Sequence, residues 1–276
     1  MRKKQKLLFG NKKCEECGSN YDVVLSTCPT CKHEDKDFES YGVPKNILWL
    51  PIYKQLLIFA LGLIALNVVS LIAEIIFVNF YDPESPDFLI LINTIRYSII
   101  TLSIGGVLIG NYRSFKDSFN KWWPYLLGLA GMFVITAFEM TYGTIVNLFH
   151  ETTTNINQEA ANSVITAYPA LSILVLGFLG PIVEEFTYRV GLFSFFRRIN
   201  RWLPYIVTPI IFAFIHFGFG SEGEELINEL LNLPSYIFAG LVFSFLYDFF
   251  GLSAALTAHI SNNLLSILFS LLLTKV

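Results

Sequence analysis

Charged residues are scarce in this sequence. Asp, Glu, Lys and Arg make up 15% of its 276 residues, whereas 54% are hydrophobic, and the mean hydropathy is +0.55. Soluble globular domains carry about 25% charged residues. The composition therefore excludes an ordinary soluble domain of this length and predicts a polytopic membrane protein.

Apolar runs of membrane-spanning length account for the high hydropathy. A transmembrane helix needs about 20 mostly apolar residues, and seven runs of the sequence approach or exceed that length. They predict an all-α bundle of seven or eight transmembrane helices. The runs are 52–80, 88–110, 123–149, 169–196, 203–219, 234–250 and 252–274.

Lysine and arginine are absent from alternate loops. The segments 81–87, 150–168 and 218–233 contain neither residue but are acidic, whereas 111–122 and 197–202 are basic. Basic residues at membrane edges are retained in the cytosol, and the N-terminal stretch lacks the apolar core of a secretory signal. We therefore expect a multi-pass protein of the cytoplasmic membrane with a cytosolic N-terminus.

Cysteine is absent after residue 31. Cys14, Cys17, Cys28 and Cys31 form two C-x2-C pairs, a spacing that suits a closed, structural four-sulfur zinc site. Disulfides are the alternative, which the expected cytosolic location disfavours. We predict a cytosolic zinc-ribbon-like module and linker in residues 1–46 that docks a protein partner or regulates the rest, with a transmembrane bundle in 47–276. The basic residues around it serve equally well as a topology signal, so no nucleic-acid partner is predicted.

Three charges interrupt the fourth apolar run, in "GPIVEEFTYRVGLF". An ionisable residue at the bilayer centre costs about 3 kcal/mol and usually faces a partner or a cavity. Glu185 and Arg189 are four residues apart on one helical face and are expected to pair. Glu184 points about 100° away from Glu185, which leaves its carboxylate for another role.

Three further polar residues lie in later apolar runs. His216 is in the fifth run, and His259 and Asn263 are one helical turn apart in the seventh. Each alone is compatible with simple packing or helix-to-helix hydrogen bonding. Their estimated depths are similar to that of Glu184, so we expect all four to converge in mid-membrane, within reach of the cytosolic side.

Three short motifs then occur in a fixed order. "EEFTYR" matches EExxxR, "FAFIH" matches FxxxH, and "HISNN" matches HxxxN. Over about residues 120–274 the chain resembles the CPBP or Abi family, the CAAX prenyl proteases and bacteriocin-processing enzymes. The resemblance implies a helical bundle with a conical cavity and an intramembrane endopeptidase acting on a membrane-associated peptide or protein.

The resemblance also implies residue roles. Glu184 would activate water, His216 would help to hold it, and His259 and Asn263 would stabilise the oxyanion. Glu185 and Arg189 would support them. The use of a catalytic metal stays open, because two histidines and a glutamate could also bind zinc.

Two other functions compete with proteolysis. A non-catalytic immunity or scaffold protein would use the same motifs for packing, and a transporter is disfavoured because no internal repeat is visible. Six further polar residues have no motif context and are left out of the predicted site; they are Asn67, Glu74, Asn93, Arg96, Glu139 and Asp248.

Overall fold

The computed structural model describes residues 8–150 and 155–273, which form an all-helical bundle with a small N-terminal hairpin. Within those residues, six helices are long and apolar enough to cross a membrane, and one further apolar helix is shorter. This confirms the predicted polytopic all-α fold. The strands are β1 (Asn11–Lys13) and β2 (Asn20–Asp22). The helices are α1 (Ile52–Phe77), α2 (Pro86–Leu108), α3 (Tyr112–Asp117), α4 (Trp123–Asn147), α5 (Ile156–Ala167), α6 (Pro169–Ile199), α7 (Leu203–Phe214), α8 (Gly223–Phe250) and α9 (Leu252–Leu273).

The hairpin belongs to a module that holds the four cysteines. β1 and β2 pair antiparallel, and each cysteine pair lies in a tight turn. Gly18 N–H donates to the Cys14 carbonyl and Lys32 N–H to the Cys28 carbonyl, both at 3.0 Å. Gly18 and Lys32 both adopt a positive φ, so the two C-x2-C segments have equivalent turns.

Helix α6 carries the charged motif and is the most buried spanning helix. Half of its most apolar stretch is buried, against a third or less in the other long helices. Wide, π-type turns at Ile173–Leu179 and Phe186–Phe193 flank a regular α-helical segment, Gly180–Glu185. Turns of this type occur often at functional sites because they redirect side chains.

Glycines bring α1 close to α6. A Cβ on Gly62 would lie 1.6 Å from Thr187 Oγ1, and a Cβ on Gly191 would lie 3.0 Å from the Phe59 backbone nitrogen. Small residues at such crossings let the backbones of membrane helices approach closely. The contact fixes the part of α6 that follows the two glutamates.

Local signals explain several helix ends. Ser85 Oγ accepts from Phe88 N–H ahead of α2, and Asn155 Oδ1 accepts from Gln158 N–H ahead of α5. These are N-caps, which satisfy otherwise unpaired backbone donors. Gly251 separates α8 from α9 with φ 94° and ψ 178°, a conformation essentially restricted to glycine.

Two predicted boundaries were wrong. α8 begins at Gly223, not near residue 234, so part of the predicted acidic loop is helical. Glu229 of that segment is buried, and its two oxygens accept from Ile156 N–H and Gly218 N–H at 2.9 Å each. α7 ends at Phe214, which places His216 after the helix and not inside it. Glu151, also predicted for an acidic loop, lies outside the described residues.

The cysteine module is joined to the bundle through Arg198, near the end of α6. This buried guanidinium donates to Gln55 Oε1 of α1, to the carbonyls of Leu8 and Leu50, and to both carboxylate oxygens of Asp22, at 2.8–3.2 Å. Asn46 Nδ2 also donates to the Phe249 carbonyl, at 2.6 Å. The module therefore packs on the end of the bundle where α6 and α8 finish.

Candidate active site

A cavity of about 740 Å³ lies among the spanning helices. This volume is within the usual range for small-molecule and peptide sites. Glu184 of α6, His216 after α7, and His259 and Asn263 of α9 all line it. The structure thus brings together four residues that are far apart in the sequence.

Glu185 and Arg189 form a fully buried pair beside this cavity. Arg189 Nε lies 3.3 Å from Glu185 Oε2, close enough for an ion pair but without hydrogen-bond alignment, since both atoms lack a hydrogen-bond partner. Arg189 Nη2 donates to the Gly240 carbonyl at 3.2 Å. Its guanidinium also lies over the rings of Phe212 and Phe243, 5.1 and 5.2 Å from their centroids, a favourable cation–π arrangement.

His259 lies between the two glutamates. Its Nδ1 is 2.9 Å from Glu185 Oε1, and its Nε2 is 3.6 Å from Glu184 Oε2. The ring stacks on Phe243 with centroids 4.5 Å apart. Glu185 therefore sets the orientation of His259, as a carboxylate commonly does for a functional imidazole.

Glu184 is held less completely than Glu185. Its Oε2 is buried without a hydrogen-bond partner among the described residues, because the 3.6 Å separation from His259 is too long for a hydrogen bond. A buried polar oxygen without a partner is costly and calls for an explanation such as a catalytic role. Glu184 therefore has an acceptor available to a water or a substrate group.

His216 and Asn263 are fixed by backbone carbonyls. His216 Nδ1 lies 2.8 Å from the Phe212 carbonyl, and its ring stacks on Tyr236 at 4.6 Å. Donation from Nδ1 selects the tautomer in which Nε2 is an acceptor. Asn263 Nδ2 donates to the Leu176 carbonyl at 2.9 Å, which fixes the amide orientation on the cavity wall.

Comparisons with known proteins point to the same segment. Residues 166–265 match the family model described as type II CAAX prenyl endopeptidase Rce1-like. This segment of the chain is therefore similar to the Rce1-like family. The matched segment contains all seven defined residues of the three motifs.

A curated relative covers less of the chain. The UPF0177 protein in abiGi 5'region, from Lactococcus lactis subsp. cremoris, is 32% identical over 87 residues, which is 32% of this chain and 35% of the relative. The match thus spans about a third of the relative's length. No solved structure matches the chain.

The cavity also contains polar residues that the sequence analysis had set aside. Glu74, Asn93, Arg96 and Glu139 all line it. They lie on α1, α2 and α4, before the region that matches the family, so the motifs contained no signal for them. Helix periodicity alone could not have separated a cavity-facing residue from one that faces a neighbouring helix.

Arg96 has few partners in the described residues. Its Nε is buried without a hydrogen bond, and Nη2 makes one long contact with Tyr97 Oη, at 3.4 Å. No carboxylate of the described residues forms an ion pair with it, although Glu74 and Glu139 line the same cavity. Arg96 therefore pairs with neither of these glutamates.

Asp248 and Asn67, the other two residues set aside, have structural partners. Asp248 pairs with Arg197 at 3.3 Å and accepts from Tyr205 Oη at 2.8 Å. Asn67 Nδ2 donates to the Leu63 carbonyl of its own helix. Neither residue lines the cavity.

The four cysteines fit a single metal ion. Their sulfur atoms all lie within 4.8 Å of one another, and the Cys14–Cys31 and Cys17–Cys28 separations are 3.5 and 3.7 Å. Tetrahedral zinc with bonds of about 2.3 Å places its sulfur ligands about 3.8 Å apart. The Ser19 hydroxyl lies 3.2 Å from Cys28 Sγ and lowers the pKa of that thiol, which favours the thiolate that binds metals.

Proposed function

We propose that this protein is an intramembrane endopeptidase that hydrolyses a peptide bond of a membrane-associated peptide or protein. The observation that carries the proposal is that Glu184 Oε2 is buried without a hydrogen-bond partner among the described residues and lies 3.6 Å from His259 Nε2. Both side chains line a cavity whose volume is typical of ligand-binding sites. The match of residues 166–265 to a family model described as an endopeptidase supports it.

Glu184 is the proposed general base. It takes a proton from a water molecule, held also by His216 Nε2, as the water oxygen attacks the scissile carbonyl carbon. The C–N bond then breaks, and the protonated Glu184 returns the proton to the leaving nitrogen. One water is consumed, and the products are a carboxylate and an amine.

His259 and Asn263 are the proposed oxyanion stabilisers. The His259 ring lies between Glu184 and Glu185, and its Nε2 is proposed to donate to the developing oxyanion. The buried Glu185–Arg189 pair keeps that ring in place. Arg96 and Asn93 also line the cavity. Arg96 is proposed to donate to an oxygen atom of the substrate chain, and Asn93 Oδ1, which has no partner among the described residues, to accept from a substrate N–H.

The protein's own residues favour water activation by Glu184 over activation by a metal. Within residues 8–150 and 155–273, the four cysteines form the only group of three or more His, Cys, Asp or Glu side chains placed to share one ion. For the cysteines we propose structural zinc, which would cross-link the two turns of the module.

The test is a comparison of protein termini in host cells. Cells that carry the wild-type chain or Glu184→Gln are compared by quantifying N- and C-termini of membrane and exported proteins. Loss of a general base lowers the rate by about 10²- to 10⁴-fold, so the cleaved termini should disappear and the uncleaved precursor should accumulate.

Glu225→Gln is the matched control. It makes the same chemical change at an exposed residue of α8 that does not line the cavity, and it should leave the termini unchanged. If Glu184→Gln inserts normally and no terminus depends on it, proteolysis is wrong, and the non-catalytic immunity or scaffold function takes its place.

A further inference from the structure

The cavity occupies only one half of the bundle. Its lining residues on four helices come from the ends that lie away from the cysteine module. They fall within 88–97 of α2, 136–146 of α4, 176–184 of α6 and 259–273 of α9. The cavity therefore lies nearer the end of the bundle opposite the module, whereas the sequence predicted access from the cytosolic side.

The cysteine module marks the opposite end. Arg198 near the end of α6 binds Asp22 of the module, and Arg113 of α3 lies 3.3 Å from Glu34. These contacts fix the module on the face where α2, α6 and α8 finish. Along α6 from this face, Glu184 is the first residue that lines the cavity.

Charge distinguishes the two faces. The loops on the module face contain Arg113, Lys116, Lys121 and Arg201, whereas 78–88, 148–168 and 215–235, at the cavity end, contain no lysine or arginine. Basic residues next to transmembrane helices are retained in the cytosol. The cavity end is thus the face with the charge pattern of a translocated surface.

The end of the cavity away from the module, which we call the cavity mouth, carries three carboxamides. Asn157, Gln158 and Asn162 of α5 line it, and α5 packs against α2 and α9. Carboxamides carry both donors and acceptors and therefore match the alternating N–H and C=O groups of an extended peptide.

We propose that the substrate enters from the face opposite the cysteine module, which is the outer face of the membrane. The substrate class is then a peptide segment exposed outside the cytosol, either an exported peptide or the outer end of a membrane protein. The substrate class in this inference rests on the proposed proteolysis. The position of the cavity within the bundle does not depend on it.

Cysteine labelling tests the geometry without any activity. Asn157→Cys, at the cavity mouth, and Ser114→Cys, exposed on the module face, are treated in intact cells with a membrane-impermeant maleimide. We expect label on Asn157→Cys equal to that in permeabilised cells, and label on Ser114→Cys only after permeabilisation. The wild-type chain gives the background from the native cysteines.

Glu225→Cys repeats the measurement outside the cavity, at an exposed position of the same end. It replaces Asn157→Cys should that variant fail to fold. Labelling of Ser114→Cys in intact cells, with the cavity-end variants protected, would overturn the inference.

The termini that depend on Glu184 supply the second arm. We expect them to map to exported peptides or to outer segments of membrane proteins. Cleavage confined to cytosolic segments would overturn this inference while leaving proteolysis intact. Absence of any such terminus, together with cavity-end labelling in intact cells, would reject proteolysis and leave the orientation standing.

Discussion

Two arginines at opposite ends of the bundle differ in how fully they are paired. Arg198, on the module face, donates to five acceptors, including both oxygens of Asp22. Among the described residues, the Nε of Arg96, in the cavity, has no hydrogen-bond partner, and its guanidinium contacts only the Tyr97 hydroxyl, at 3.4 Å, and the Tyr97 ring. Burying a polar group is costly unless it is hydrogen-bonded. The hydrogen bonds of the Arg198 guanidinium are made within the protein, whereas Arg96 still has a donor available to a ligand.

The glutamates of the charged motif show the same contrast over a single residue. Glu185 lies 2.9 Å from His259 Nδ1 and 3.3 Å from Arg189 Nε, whereas among the described residues Glu184 Oε2 has no hydrogen-bond partner and its side chain lines the cavity. Residue type therefore does not separate structural from functional charges in this membrane protein. Position does, because Glu184 lines the cavity, where a substrate or water would meet it, and Glu185 does not.

Among the structural contacts, loss of the zinc site should have the largest effect. In full-length Cys14→Ser, we expect zinc to fall from one ion per chain to none, because structural zinc contributes about 10–16 kcal/mol to small sites. Metal analysis of the purified protein measures this. Glu15→Gln, exposed between the first two cysteines, should keep its zinc; a Cys14→Ser protein that also kept it would contradict the four-sulfur site.

Arg198→Gln should have the next largest effect. It removes the link between the module and α6 and leaves Asp22 without its cation, at a cost of about 3 kcal/mol in the free energy of unfolding. We expect a lower melting temperature in detergent and faster protease cleavage near residues 40–50. Arg201→Gln, at an exposed arginine nearby, should behave as wild type. Equal stability of the two variants would show that the observed contacts do not hold the module.

Arg96→Gln should have the smallest effect on stability and a selective effect on activity. Removal of an incompletely paired charge should leave the melting temperature unchanged or raise it. Loss of a charged hydrogen bond to substrate should reduce Glu184-dependent product formation about 10-fold. Arg96→Lys, which keeps the charge, should retain part of the activity. A loss of stability like that of Arg198→Gln would instead assign Arg96 a structural role.

Local signals made parts of this protein predictable. The apolar runs predicted the spanning helices, the two C-x2-C pairs predicted the sulfur cluster, and the spacing of Glu185 and Arg189 predicted their contact. Each of these depends on residues within a few positions of one another. The orientation of the chain and the roles of the site residues stay predictions.

Contacts that depend on long-range packing could not be predicted from the sequence. Arg198 read as a basic loop residue and Glu229 as an acidic one, yet both are buried and bonded to segments distant in the sequence. Arg96 and Asn93 had no motif, because their position on the cavity wall depends on how α2 packs against α6 and α9.

The sequence by itself determined the membrane class, the number of apolar helices and the residues of the three motifs, because hydropathy and short spacings are local properties of the chain. Only the tertiary structure decided that Glu185 contacts both Arg189 and His259 while Glu184 lies 3.6 Å from His259 on the cavity wall, and that the cavity lies in the half of the bundle away from the cysteine module. Both depend on which helix ends meet, and helix packing joins residues that no local pattern connects.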